Sequence, residues 1–160
     1  MNKIKELLKD KNSVLVFDID GVLAVLEFGK YNHYYASDED WDKFVEDNNL
    51  YTEDKVSKKM QEFLKDIDKD RVYVITQIGT DKEGIYKKEY AEKYYGIKPE
   101  NIYFVYRNND KISKLNEIRN KHPEVEDYQV IMIDDTPDVL TDVQLKTKYS
   151  TAHISSFLDI

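Results

Sequence analysis

Asp18 and Asp20 stand one residue apart at the end of the apolar run Val14-Leu15-Val16-Phe17. Asp134 and Asp135 follow a second run, Val130-Ile131-Met132-Ile133. Thr76 closes a third run, and Lys111 opens a helical pattern shortly after a fourth. Charged carboxylates are costly beside strands built for burial, so their placement calls for compensating partners. Close carboxylates repel one another, and a hard cation such as Mg2+ suits a few carboxylates combined with phosphate and water. A phosphoryl group needs its charge neutralised by metal, lysine and hydrogen-bond donors as a nucleophile approaches. Asp18 can attack phosphorus, and Asp20 can protonate the leaving oxygen and then activate water. Gly21 permits the tight reversal such a site needs. The pattern points to Asp18 and Asp20 as catalytic groups, with the Thr76 hydroxyl and the Lys111 amine converging on the same rim.

Elements of the right kind surround these residues. Ser13–Phe17, Arg71–Ile75, Asn101–Tyr106 and Gln129–Ile133 are β-branched and aromatic apolar runs, with a weaker one around Thr151–His153. Near-continuous apolarity, rather than alternation, is the mark of a parallel sheet covered on both faces. Val56, Met60, Phe63, Leu64 and Ile67 mark one helix face, with Thr52 as its expected N-cap. Thr80 and Glu83 have capping-box spacing before a helix that stops at Gly96. Ile112, Leu115 and Ile118 mark a helix ended by His122-Pro123, and Thr136-Pro137 opens another. Alternating strands and helices predict a doubly wound α/β sheet, whose ligands bind beyond the carboxyl ends of the strands. The prediction is one domain over 1–160. An insert at about 24–52, carrying Phe28, Tyr31, Tyr34, Tyr35, Trp41, Phe44 and Tyr51, is expected to form a flap and a small helical piece.

The chain carries a net charge of −8 and no cysteine, which removes thiolate chemistry and disfavours broad nucleic-acid binding. Residues 37–70 carry 12 acidic and 6 basic side chains, whereas residues 82–121 carry 10 basic and 6 acidic. Solvated helical faces are the expected reading of both stretches. With no apolar stretch long enough for a bilayer and no signal-like leader, a cytoplasmic location and no membrane partner are expected. His33, His122 and His153 lack ligand spacing, and surface or packing roles are expected for them. No protein partner is inferable.

The motif series, with Asp18-Ile19-Asp20-Gly21-Val22-Leu23 first, then Thr76, Lys111 and Asp134-Asp135, resembles the haloacid dehalogenase superfamily. This resemblance spans Val14 to Asp138. It implies a three-layer Rossmann-like sheet of order 5-4-1-2-3 and a phosphatase acting through an aspartyl-phosphate on Asp18. It further implies Mg2+ held by Asp18, the Asp20 backbone carbonyl and Asp134, with Asp135 or Asp138 assisting. The Asp18, Asp20 and Asp134 carboxylates are expected to surround one metal position. The resemblance implies Thr76 as a phosphate ligand, with Lys111 the first choice for the phosphate lysine and Lys114 the second. Asp18-Ile19-Asp20-Gly21-Val22-Leu23-Ala24 with Ile133-Asp134-Asp135-Thr136-Pro137-Asp138 is similar to the 5'(3')-deoxyribonucleotidase branch, which implies a nucleoside monophosphate as the small phosphorylated substrate. A phosphorylated nucleic-acid end and a catalytically idle binding module are the alternatives. Phospho-acceptor receiver domains place their acidic pair at the first strand, opposite to the order here.

Overall fold

The computed structural model describes residues 3–25 and 37–160. Expectations for Phe28, Tyr31, His33, Tyr34 and Tyr35 fall outside the described residues. The elements run in the order α1 (Lys3–Lys9), β1 (Val14–Phe17), α2 (Asp38–Asp47), α3 (Lys58–Leu64), β2 (Val72–Gln77), α4 (Asp81–Tyr95), β3 (Ile102–Val105), α5 (Lys111–Lys121), β4 (Val130–Asp134), α6 (Pro137–Lys146) and β5 (Ser150–His153).

The five strands form a sheet of order β3-β2-β1-β4-β5, parallel at every pairing. This is the expected 5-4-1-2-3 order counted from the other edge. Side-chain alternation in β1 explains the two faces. Leu15 and Phe17 enter a core with Leu8, Met60, Leu64, Tyr90, Ala91 and Tyr95, so α1, α3 and α4 cover that face. Val14 and Val16 point the other way, into a core with Leu115, Ile118, Leu140 and Val143 from α5 and α6. Both faces are therefore buried, which is why the strands read as continuous apolar runs.

Helix boundaries follow local chemistry. Thr80 Oγ1 accepts from the Glu83 amide at 3.2 Å, and α4 ends at Gly96, whose φ of 64° lies in the left-handed region. Pro137 occupies the first turn of α6. Thr52 does not cap the helix expected after it. It precedes a short 3-10 turn, Glu53–Lys55, and the helix begins later with Ser57 Oγ accepting from the Met60 amide at 3.3 Å. The delay has a physical reason: Val56 pairs with Ala24 in an isolated antiparallel bridge, so its backbone is committed to an extended conformation. The insert does carry a helix, α2, capped by Ser37 accepting from the Asp40 amide at 3.2 Å.

The topology also places the site. The chain leaves β1 toward β2 and β3 on one side, then returns to build β4 and β5 on the other. The crevice at this reversal lies between the carboxyl ends of β1 and β4. Phe17 is in register with Ile133, so Asp18 and Asp134 emerge side by side.

Candidate active site

Asp18 follows β1, and its amide donates to the Ile133 carbonyl at 3.0 Å, extending the β1–β4 pairing by one bond. The carboxylate turns back on its own backbone, where the Ile19 amide donates to Oδ1 at 2.7 Å. The segment after it is a tight turn in which the Val22, Leu23 and Ala24 amides all donate to the Ile19 carbonyl. Gly21 has φ 70°, and a Cβ there would lie 2.1 Å from Asp135 Oδ2. Glycine is thus required twice, for the left-handed backbone and for the close approach of Asp135.

Asp134 is the last residue of β4, and its Oδ1 accepts from the Thr136 amide at 2.9 Å. Lys111, at the start of α5, donates to Asp18 Oδ2 at 2.9 Å and to Asp134 Oδ2 at 2.8 Å. One ammonium therefore ties the ends of β1 and β4 together. Lys114, the second choice for this role, points elsewhere: it pairs with Glu117 at 2.7 Å and lies against the Tyr103 ring. Lys111 lies on the buried face of α5 with Leu115 and Ile118.

Asp18, Asp134 and Asp135 each offer a carboxylate oxygen, and the three oxygens lie within 4.8 Å of one another. Asp138 is exposed in the first turn of α6 and lies outside this group. The Asp20 carboxylate is also outside it, contrary to expectation. Its oxygens are engaged instead by Tyr51, whose hydroxyl donates to Oδ1 at 2.9 Å, and by Lys87, which donates to Oδ2 at 2.7 Å.

Lys87 is the residue that sequence reasoning missed. Its ammonium is buried on α4 and also contacts Glu83 Oε1 at 2.8 Å, the Gln77 carbonyl at 2.6 Å and Thr76 Oγ1 at 3.3 Å. Thr76 lies within β2, not beyond it, and is fully buried. Glu83 completes the group by accepting from the Gly79 amide at 2.9 Å through Oε2. The Glu83–Lys87 spacing of four residues was visible, but such pairs ordinarily decorate a solvated helix surface. Two of the bases behind the positive balance of residues 82–121 are therefore inside the molecule, not on a solvated face.

The electrostatics follow from this packing. Burial opposes the charge on Asp18, but the ammonium groups of Lys111 and Lys87 outweigh it and hold its carboxyl below the ordinary range. Asp134 is pushed up to about 6 by burial and by the neighbouring Asp18 charge, against the pull of Lys111. Burial and Asp18 raise Asp135 as well. Burial disfavours the charge on Lys111, yet Asp18 and Asp134 raise it above an ordinary lysine. Lys87 is likewise raised, with burial overcome by Asp20 and Glu83. Burial, then Asp20 and Glu83, keep the Tyr51 phenol well above its usual range.

Of these groups, Asp18, Asp20, Glu83 and Asp135 border a cavity of about 420 Å³, whose lining also includes Asp38, Trp41, Asp42 and Tyr106. Among its described lining residues there is no lysine or arginine. His122 is distant from this chemistry, meeting the Tyr73 hydroxyl at 2.8 Å, and His153 stacks no ligand set, its Nε2 lying 3.2 Å from the Asp135 carbonyl oxygen. No described helix is long and apolar enough to cross a membrane.

Comparison with protein-family models and with curated proteins gives no match to this chain.

The donor set fits a hard divalent cation. All three candidate ligand atoms are carboxylate oxygens, the preference of Mg2+. An octahedron with metal–oxygen distances of about 2.1 Å spaces its oxygens roughly 3.0 to 4.2 Å apart, so the three carboxylates need only draw together to share one cation. The charge balance points the same way. Among the described residues, the cations paired with Asp18, Asp20, Glu83, Asp134 and Asp135 are the ammonium groups of Lys87 and Lys111. Counted over these described groups, that leaves a formal excess of three negative charges within one partly buried site, which a cation would reduce.

Proposed function

We propose that this chain is a magnesium-dependent phosphomonoester hydrolase of the haloacid dehalogenase type, acting through an aspartyl-phosphate on Asp18. The observation that carries the reading is the convergence of Asp18, Asp134 and Asp135 at the β1–β4 crevice, with Lys111 bridging the first two. Asp18, Asp134 and Asp135 would hold the cation. When bound, it would neutralise phosphoryl oxygens and help align the phosphorus with the nucleophile.

The residues of the chain divide the remaining tasks. Lys111 and the Ile19 amide hold the two oxygens of Asp18, fixing the nucleophile and preserving its charge. An Asp18 oxygen bonds to phosphorus as the bond from phosphorus to the leaving oxygen breaks. Asp20 gives the leaving oxygen its proton, producing the free alcohol. Water then attacks phosphorus, Asp20 accepts its proton, and the bond from phosphorus to Asp18 breaks to release inorganic phosphate. Thr76 and Lys111 are the candidate protein groups for phosphoryl oxygens, with Thr76 currently engaged by Lys87.

The cavity favours a small substrate over a nucleic-acid end. Its described walls add Asp38 and Asp42 to the catalytic acids with no lysine or arginine among them, so a second phosphate on the substrate would be repelled. Trp41 and Tyr106 line the same cavity and offer aromatic surface to a nucleobase, which keeps a nucleoside monophosphate as the first substrate to test.

The test is hydrolysis of an aryl phosphate with Mg2+ or with chelator, beside Asp18→Asn. The expected result is metal-dependent release of phosphate in the parent and a loss of roughly a hundredfold or more in the variant. Unchanged hydrolysis by Asp18→Asn would remove the nucleophile assignment. In a substrate panel, preference for oligonucleotide ends over free nucleotides would remove the small-substrate reading.

A further inference from the structure

We infer that Lys87 and Tyr51 are positioning residues that aim the Asp20 carboxylate at the leaving group. This rests on the reading of Asp20 as the acid and base of phosphomonoester hydrolysis.

Lys87 sits in the middle of α4, and its side chain has no exposure. Burying an ammonium so completely costs several kcal/mol, an outlay that only close, well-aimed acceptors can offset. The acceptors come from three places: Asp20 beyond β1, Thr76 and Gln77 at the end of β2, and Glu83 one turn earlier on α4. Neutralising Glu83 would by itself need only a surface pair on the helix. The ammonium instead lies under the rim of the sheet, with Asp20 Oδ2 at 2.7 Å.

Tyr51 supplies an independent second hold. It approaches from the chain segment after α2, and its hydroxyl donates to the other Asp20 oxygen at 2.9 Å. Its ring packs edge-on to Tyr90, with centroids 5.9 Å apart, and the Lys87 ammonium lies 5.5 Å from its centroid. Turning the Asp20 carboxylate out of this orientation breaks both bonds together. A general acid acts only within hydrogen-bond reach of the oxygen it protonates, and small misplacements are costly. Two donors fixed by the core of α4 and by the insert's return segment provide that aim.

The experiment compares kcat/KM for an alkyl and an aryl phosphomonoester in Mg2+, using the full chain. An alkoxide leaves poorly without a proton, whereas a nitrophenolate leaves readily, so loss of aim falls selectively on the alkyl ester. Tyr51→Phe keeps the ring and removes only the hydroxyl. It is expected to lower the alkyl value about tenfold and the aryl value less than about threefold. Lys87→Met is expected to lower the alkyl value about a hundredfold, with a smaller aryl loss. In an Asp20→Asn background, neither substitution is expected to add to the alkyl-selective loss.

Equal losses on both esters, or an undiminished selective loss in the Asp20→Asn background, would overturn the proposal while leaving the phosphatase reading intact. If Lys87→Met does not fold, Tyr51→Phe alone decides. A parent chain that hydrolyses neither ester in Mg2+ overturns the phosphatase reading and the proposal with it.

Discussion

Replacing Lys111 with methionine keeps an unbranched apolar stem and removes the ammonium that joins the ends of β1 and β4. The amine lies 2.9 Å from Asp18 and 2.8 Å from Asp134, and the Asp134 side chain has no exposure at all. At an effective dielectric of ~20, each contact carries about 6 kcal/mol of Coulomb attraction before desolvation. Desolvation offsets several kcal/mol per ion, so the intact cluster contributes far less than that gross figure. Removing one partner is different, because the carboxylates stay buried without compensation. The expected loss is about 3–5 kcal/mol, a large part of the roughly 5–15 kcal/mol that holds an ordinary domain folded. For a chain of this size that corresponds to a fall in Tm of roughly 6–20 °C. Urea unfolding in chelator measures the loss directly. Saturating Mg2+ is expected to recover more stability in Lys111→Met than in the parent, because a cation bound only by the folded state stabilises it by mass action. Adding Asp18→Asn to Lys111→Met is expected to restore part of the loss, since one buried charge is gone. A loss below about 1 kcal/mol in chelator, the worth of an exposed pair, would refute the claim that Lys111 compensates a buried carboxylate pair.

Gly21→Ala forces a left-handed backbone on an L-residue, at about 1–2 kcal/mol, and drives a methyl group into Asp135. Weaker Mg2+ binding by titration calorimetry is expected, and unchanged affinity would separate Asp135 from the cation. Ser57→Ala removes the N-cap hydroxyl of α3 and leaves the Ser57 amide, which donates to the Tyr95 hydroxyl, in place. It is expected to cost about 1 kcal/mol in urea unfolding with phosphatase turnover unaltered, and a catalytic defect would contradict the capping role. Tyr73 is pushed up to about 12, chiefly by burial. The unfolded chain loses that proton first, near its ordinary value of about 10. The stability linked to the neutral phenol is therefore complete below pH ~10 and is lost as pH rises toward the folded value. Tyr73→Phe should flatten the alkaline fall in Tm; parallel curves for parent and variant would assign that fall to other groups.

Much of the fold was legible because it is written locally. Covering a parallel sheet on both faces requires unbroken apolar strands, and those runs located β1 to β4 to within a residue or two. Thr80 and Gly96 marked the ends of α4 for equally local reasons, a side-chain cap and a left-handed stop. The short first helix, Lys3–Lys9, passed unnoticed because its seven residues bury Leu8 without a sustained period. Thr52 misled for the opposite reason. Its capping chemistry was sound, but the long-range pairing of Val56 with Ala24 held the chain extended and moved the helix start to Ser57.

The same division runs through the candidate site. Asp18, Asp20, Asp134 and Asp135 were recognisable from sequence because a carboxylate beside a buried strand is conspicuous wherever the strand lies. Their separation into groups was not recognisable. Only the register of β1 with β4 brings Asp18 beside Asp134, and only the approach of α4 and Tyr51 supplies the two donors that hold the Asp20 carboxylate. Lys87 shows the reason most clearly. A lysine four residues after a glutamate is ordinary on any helix, and nothing within that helix reveals which charges it will face. Backbone conformation is largely set by neighbours in sequence, whereas the fate of a buried charge is set by whatever the rest of the chain brings against it.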